Sequence, residues 1–474
     1  MPQQLVTSAP ATPPELWAPV YARAVKGRFR SVKSATAGLL LAVFLILPWL
    51  RWERGAGAVD QAVLIDIPGA RAYLFGIEIW PQEVYYFTGL MILAAVGLFL
   101  ATTLFGRLWC GYACPQTVWT DLFMAIERQF EGDRNARLKR DKGPWTLNRL
   151  ARKLGKHAAW LALSGATALA FLVYFVDAPT ALRGEVGTNA LCFLAIVTAA
   201  TYGMAGFTRD LFCTYMCPWP RIQAPMLDEH SIIVSYDAGR GETRGHARQG
   251  QSFVDRGHCL DCRLCVQVCP TGIDIRNGMQ MACIGCGLCI DACNGVMERF
   301  GLPRNLVGWT SLAAMKDPAA ASPRRRLLRG RIFAYGAIML GVAALLATVM
   351  SRRVMLDLNV LHDRSPEFVR MANGEVQNGF TVKIINKERR QRRIALSLHG
   401  LESASLSVIG QGSTDGQGVA LSVGPDTVEP YRILVRKPVQ ADSAVAIPLS
   451  FELRDQDSGA TASHDSIFIT GEAN

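Results

Sequence analysis

No cysteine occurs in the last 181 of the 474 residues, so no disulfide can hold that stretch. Charge is scarce as well. Only 19% of residues are charged, below the roughly 25% of soluble domains, and 50% are hydrophobic. That balance excludes a disordered chain and a wholly soluble globule. There is no Gly-x-x-x-x-Gly-Lys-Ser/Thr loop and no His-Glu-x-x-His helix, which removes P-loop and zinc-peptidase chemistry. Seven histidines, no two of them within facing apolar runs, remove bis-histidine haem.

The hydrophobic residues gather in five runs, roughly 34–52, 84–106, 158–177, 189–208 and 331–351. Each is long enough to cross ~30 Å of hydrocarbon as a helix rising 1.5 Å per residue. The net charge of +11 invites a nucleic-acid reading. Its distribution points to membrane lipid instead, because the basic residues lie in particular loops between the runs. Thirty-two Lys and Arg fall in 1–33, 107–157 and 209–331, and four in 51–83 and 178–188. The first set is expected in the cytoplasm of a bacterial cell. An odd number of crossings then places 352–474 in the periplasm. Ala56-Gly57-Ala58 mimics a signal cleavage site, but 33 residues precede the first run, and Trp49 to Arg54 separates it from the site. The run is read as a retained span. Arg324-Arg325-Arg326, ahead of the last run, reads as a topology anchor with lipid contact.

Two segments repeat. Leu108-Trp109-Cys110-Gly111-Tyr112-Ala113-Cys114-Pro115 follows the second run, and Leu211-Phe212-Cys213-Thr214-Tyr215-Met216-Cys217-Pro218 follows the fourth, 103 residues on. The first four spans thus read as a duplicated unit of two helices and one thiol pair. Cysteines at i and i+4 share one helical face, and two such faces turned inward would bring four thiols together. Pro115 and Pro218 are expected to end their helices. A disulfide is disfavoured on the reducing side of the membrane. Cys110, Cys114, Cys213 and Cys217 suit Cu(I), an iron–sulfur centre, or reversible dithiol redox. Lone Cys192 is expected to pack, His157 to sit at the interface, His258 to stand behind a ligand, and Asp177 to be a solvated terminus.

Eight further cysteines crowd into 35 residues: Cys259-x2-Cys262-x2-Cys265-x3-Cys269-Pro270, then Cys283-x2-Cys286-x2-Cys289-x3-Cys293. This is the bacterial two-cluster ferredoxin spacing, in which the fourth cysteine of each run ligates the other cluster. One [4Fe–4S] cluster is expected on Cys259, Cys262, Cys265 and Cys293, and the second on Cys283, Cys286, Cys289 and Cys269. Asn294 stands where the second run usually has proline. Zinc fits poorly, because its sites pair one Cys-x-x-Cys with a distant second pair.

Beyond 351 the pattern changes to alternation. Met355–Val360, Phe380–Ile385, Ile394–Leu398, Val419–Val423, Tyr431–Val435, Ile447–Leu453 and Ser466–Ile469 read as strands separated by turn residues. Seven short strands in some 120 residues predict an immunoglobulin-like sandwich that serves for docking. The expected whole is a multi-domain membrane protein with a five-helix transmembrane bundle. Its parts are a cytoplasmic segment (1–33), a four-helix membrane unit (34–208), a cytoplasmic two-cluster domain (209–330), a fifth helix (331–351) and a periplasmic sandwich (352–474).

The paired Cys-x-x-x-Cys-Pro motifs, Ile233-Val234-Ser235-Tyr236-Asp237, the cassette with its Cys269-Pro-Thr-Gly-Ile-Asp-Ile-Arg-Asn-Gly278 stretch, the last span and the sandwich resemble the FixG/CcoG/RdxA family over nearly the whole chain. The resemblance implies an accessory protein for assembly of cbb3-type cytochrome c oxidase, acting as an inner-membrane cupric reductase. It implies copper as substrate at Cys110, Cys114, Cys213 and Cys217, and copper-handling proteins and assembly factors as partners. The electron donor is not named by the sequence. A NapH-like quinol dehydrogenase component shares the motifs and clusters but is not expected to carry the sandwich. A non-enzymatic assembly scaffold is the third reading.

Overall fold

The computed structural model describes residues 20–471 apart from 55–58, 249, 254, 318–326, 411, 415–417 and 439–444. The cleavage-site mimic and the Arg324–Arg326 anchor therefore lie outside the described residues. The chain divides into two units, 1–53 with 60–346 and 54–59 with 347–474.

The first unit is built on apolar helices. Among the described residues four segments are long and apolar enough to cross a membrane: Arg28–Trp49, Pro81–Phe105, Thr188–Met226 and Gly330–Ser351. They contain α1 (Arg28–Ile46), α2 (Tyr85–Phe105) and α7 (Thr188–Gly203). Between α2 and α7 come α3 (Pro115–Glu131), α4 (Arg134–Lys142), α5 (Leu147–Leu172) and α6 (Ala178–Leu182). The 158–177 run is longer than the helix within it, because α5 stops at Leu172 and its first turns carry Arg149, Arg152, Lys153 and Lys156. Thr146 caps α5 by accepting from the Arg149 amide. α5 packs against α7 and α3.

Ahead of α2 the chain makes a small antiparallel sheet, β1 (Val63–Asp66), β2 (Arg71–Leu74) and β3 (Ile77–Ile79), which the hydropathy pattern did not reveal. Asp177 is not merely a solvated terminus. It caps α6 by accepting from Thr180 and pairs with Arg51 at 2.7 Å. Cys192 does not pack in the protein core; it lies exposed on α7.

The cassette is framed by one short ladder, β4 (Ile233–Tyr236) against β5 (Val307–Thr310), with the cysteine runs threaded between them. The framing pins the cassette to the helices. Asp291, on the helix Leu288–Arg299, accepts from the backbone amides of Phe29 and Arg30 and so caps α1.

The second unit is a two-sheet sandwich. One sheet runs β11 (Gly412–Thr414), β10 (Ser405–Val408), β13 (Thr427–Pro438), β8 (Glu375–Asn386) and β6 (Leu356–His362), with β7 (Val369–Arg370) beside β8. The other runs β12 (Gly418–Val423), β9 (Arg392–His399), β14 (Ala446–Asp455) and β15 (Thr461–Ile469). All seven expected strands form. Alternate residues of β8 and β9 point inward, and Phe380, Phe451 and Phe468 are fully buried between the sheets. Each such side chain contributes roughly 1.5–3 kcal/mol on burial, so the core needs no disulfide.

Candidate functional site

The two thiol motifs fold alike. Trp109–Ala113 and Phe212–Met216 are each a single π-helical turn, closed by the amide of the second cysteine on the carbonyl five residues back, at 2.8 Å in both. Such turns recur at functional sites because a wider turn redirects the side chains it carries. Cys114 and Cys217 are extended (φ −62, ψ 126 and φ −75, ψ 123), the conformation a following proline favours. Pro115 then begins α3, and Pro218 is followed directly by the short helix Trp219–Gln223. The prolines therefore start new helices as well as ending old ones, since a first-turn residue needs no amide partner.

The repeat extends upstream. Gly106 and Arg209, 103 residues apart, occupy equivalent kinks with φ 61 and φ 28. A Cβ on Gly106 would lie 2.6 Å from the Ile232 carbonyl, so glycine is required there.

The motifs bring the four thiols into one electrostatic group. Cys110 is buried, its thiol donates to Gln223 Oε1 at 3.5 Å, and it responds to Cys114, Cys213 and Cys217 together. Burial pushes its pKa up to about 12, with its thiol neighbours adding to the rise and Arg107 opposing it. A metal cation at this position would reverse that preference. Among the described residues no three His, Cys, Asp or Glu donors are close enough to surround one metal ion.

The first motif also touches the cassette. A Cβ on Gly111 would lie 2.9 Å from the Ile284 carbonyl and 3.1 Å from the Cys286 backbone, so only glycine permits this approach. Tyr112 donates its hydroxyl to the Cys286 carbonyl at 3.0 Å and stacks on Trp309. Arg107, which the sequence reading missed, spans the junction. Its guanidinium donates to the Cys283 carbonyl at 3.0 Å, to Met281 and, beyond the second motif, to Pro220 at 3.1 Å. The only signal for it was a lone arginine just ahead of the first thiol motif.

Within the cassette the thiols sort into two cavities. Cys259, Cys262, Cys265 and Cys293 line one, and Cys269, Cys283, Cys286 and Cys289 line the other, with Cys265 reaching both walls. Left-handed residues flank each central cysteine: Asp261 and Arg263 around Cys262, Gly285 and Gly287 around Cys286. Alternating backbone handedness of this kind turns successive amides into an anion-binding nest. The neutral form of these thiols is favoured by burial, which raises Cys283 and Cys265 to about 12 and Cys293 to about 11. Cationic iron would supply the missing counter-charge. Donor set, grouping and nests thus fit two [4Fe–4S] clusters. Arg276, paired with Asp274 at 2.6 Å and Asp261 at 2.5 Å, braces the loop beside Cys265. His258 stands next to Cys259 and meets the edge of Phe253.

Comparison with known proteins matches these regions one by one. A family model described as "4Fe-4S dicluster domain" covers 208–312, one described as "4Fe-4S binding domain" covers 87–131 and 188–226, and "IG-like fold at C-terminal of FixG" covers 346–471. The nitrogen fixation protein FixG of Rhizobium meliloti is 43% identical over 452 residues, spanning 88% of this chain and 86% of its own. Protein RdxA of Cereibacter sphaeroides is 43% identical over 449 residues, spanning 93% and 94%. Protein RdxB of the same organism is 41% identical over 459 residues, spanning 95% and 96%. At that identity across membrane unit, cassette and sandwich alike, this iron–sulfur electron-transfer chain belongs to the FixG/CcoG/RdxA family.

Proposed function

We propose that the chain is a membrane-bound cupric reductase that supplies Cu(I) to copper-handling proteins and assembly factors of a cbb3-type oxidase. The observation that carries this reading is the seat of the first thiol motif on the cluster-binding loop, with Gly111 and Tyr112 against Cys286 immediately after Cys110.

Cu(II) prefers nitrogen and oxygen ligands, whereas Cu(I) prefers soft thiolates. A thiol pair drawn from Cys110, Cys114, Cys213 and Cys217 would therefore hold the product ion more tightly than the substrate ion and draw an electron onto copper. A thiol pair can reduce two Cu(II) ions by losing two electrons and two protons and closing as a disulfide. That reaction stops once the thiols are spent. Two [4Fe–4S] clusters, when bound by the cassette thiols, supply the single electrons that keep such a site reduced. Arg107 contributes a buried positive charge beside Cys110 and Cys283.

The same reading takes the chain as a bacterial inner-membrane protein with five crossings, α5 providing one of them, its basic first turns anchored at the cytoplasmic surface. The cassette then faces the cytoplasm and the sandwich the periplasm. A periplasm-specific reporter fused after Asn474 should be active, and one fused near Gly245 silent. Equal activity of the two fusions rejects this topology.

The test of the chemistry is a single-turnover assay. Anaerobically reduced protein, freed of reductant by gel filtration, is mixed with Cu(II) and a Cu(I)-specific chelator. Single Cys→Ser changes at the quartet should slow Cu(I) release. A quadruple variant reacting at the parental rate removes the reading and favours quinol oxidation of the NapH type. A second reading rests on one observation: the match described as 4Fe-4S binding covers both thiol motifs. About twelve irons per chain instead of about eight would assign the quartet to a third cluster.

A further inference from the structure

We infer that a membrane quinol binds in the cavity beside His157 and is the electron source for the reductase. The inference rests on the reductase reading above, which requires a donor. The cavity holds about 450 Å³, within the roughly 300–1,000 Å³ usual for small-ligand pockets. It lies where the basic first turns of α5 give way to apolar residues, next to the π-helical turn Met204–Thr208 that ends α7. An amphipathic ring with a long apolar tail is positioned at that level of a bilayer by its own solubility.

The walls suit a hydroxylated aromatic ring. His157 stacks on Phe207, with centroids 6.0 Å apart and planes at 14°, and meets Trp160 edge-on at 5.1 Å. Phe207 is itself exposed, leaving a ring face open beside the histidine. Nδ1 of His157 is 3.0 Å from the Tyr202 hydroxyl. In the tautomer that donates this hydrogen bond, Nε2 is the basic nitrogen and can accept from a quinol hydroxyl.

Deeper in the wall the charges are paired. Glu127 and Glu131 face three cations: Arg137 lies 2.9 Å and Lys156 3.4 Å from Glu127 Oε1, Arg209 lies 2.9 Å from Oε2, and Lys156 lies 3.0 Å from Glu131. With Asp141, Asp210 and Lys153 the lining holds four carboxylates and four cations and is balanced, so the proton acceptor for a hydroxyaromatic is the His157 ring. Asp141 and Asp210 also line the cavity; Asp141 is satisfied by Tyr21, Lys153 and Arg149. The reducing end of the path is contiguous with the site, because Arg209, Asp210 and Leu211 line the cavity and Leu211 leads directly into the π-helical turn that carries Cys213. The net reaction balances: one quinol loses two electrons and two protons to become a quinone, and two Cu(II) ions take one electron each. The protons pass to His157 and on to water.

The backbone supports the same assignment. Arg209 holds φ 28 where its repeat equivalent is Gly106, a conformation costly for any side chain. Its guanidinium reaches Glu127 and lies 5.2 Å above the Trp160 ring, so the strain places a cation in the cavity wall.

The test is direct binding of 2-heptyl-4-hydroxyquinoline N-oxide, a fluorescent quinol analogue, to the full chain in neutral phosphatidylcholine nanodiscs. Saturable quenching displaced by decylubiquinone is expected. His157→Leu and Phe207→Ala should each weaken it about tenfold, and Phe207→Tyr should restore it. No saturable binding overturns the inference. So does parental affinity in both His157→Leu and Phe207→Ala. Loss of binding in phosphatidylglycerol nanodiscs, with no displacement by decylubiquinone, would make the cavity a lipid headgroup site and also overturn it. The assay contains no copper, so its failure is distinguishable from failure of the reductase reading.

Discussion

The Tyr112 hydroxyl donates to the carbonyl of Cys286 at 3.0 Å, joining a residue between two thiols of one motif to a cysteine of the cassette 174 positions later. The neighbouring Gly111 shows how close the backbones must come for that bond to form. A side chain there meets backbone, which cannot rotate away as a flexible side chain can.

Gly111→Ala should therefore destabilise the junction by about 1–3 kcal/mol, the usual range for overpacking against fixed atoms. Thr214→Ala, at the equivalent position of the second repeat, should cost under about 1 kcal/mol. Thermal unfolding followed by tryptophan fluorescence measures both. Equal losses in the two variants would mean that the repeats dock alike, against the asymmetry seen here.

Arg209 gives a prediction with an unusual order. Glycine tolerates φ 28 and alanine does not, so Arg209→Gly should be more stable than Arg209→Ala by about 1 kcal/mol, although both lose the Glu127 pair. In an ordinary helix the order is reversed. Melting temperatures of the two variants, compared side by side, decide it.

These two positions show which features were legible in the chain. Spacing exposed the eight-thiol cassette, because the short gaps within each run are a local signature; the crossing of Cys293 and Cys269 between the runs was expected from the two-cluster ferredoxin pattern. Periodicity exposed the seven longer sandwich strands, since a residue buried at every second position leaves a period that needs no partner to read, and it missed β7, β10 and β11, which are too short to show one. The π-helical turns were invisible, because Cys-x-x-x-Cys is compatible with an ordinary helical turn too. Arg107, Tyr112 and Gly111 were missed as junction residues for a different reason: their partners at 281–286 lie far away in sequence. The strained Arg209 hid behind a repeat whose other copy has Gly106. The 158–177 run placed the end of its helix five residues late, because hydropathy does not register where α5 stops.

The crossed grouping makes a quantitative prediction. Cys262→Ser and Cys286→Ser should each lose about four of about eight irons, and their electron paramagnetic resonance signals should be complementary. Cys265→Ser should perturb both signals, because Cys265 reaches both cavities. Equimolar zinc with negligible iron in the anaerobically purified parent would overturn the cluster assignment.

The last prediction concerns the sandwich and acid. Asp455, at the end of β14, is buried, which by itself would raise its pKa. The Ser458 hydroxyl, the Asp457 amide at 3.1 Å and Arg392 at 3.3 Å outweigh that and hold it below the ordinary carboxylate value. Arg392 is buried as well and also pairs with Glu388, so this corner places charge inside a sheet edge. A carboxylate with a depressed folded pKa stabilises the fold fully above the unfolded value of about 3.9, and that contribution is lost as pH falls through the folded value. Hydrogen-exchange protection of β9 and β14 in the full chain should therefore hold at neutral pH and fall below about pH 4. Asp455→Asn keeps the shape but strips Arg392 of one of its two partners. Removing one member of a buried pair typically costs 3–5 kcal/mol, and the surviving Glu388 contact puts this loss at roughly 3 kcal/mol. The variant should be less protected at pH 7 and show a shallower acid limb. An acid limb as steep as the parent's would mean that another carboxylate controls it.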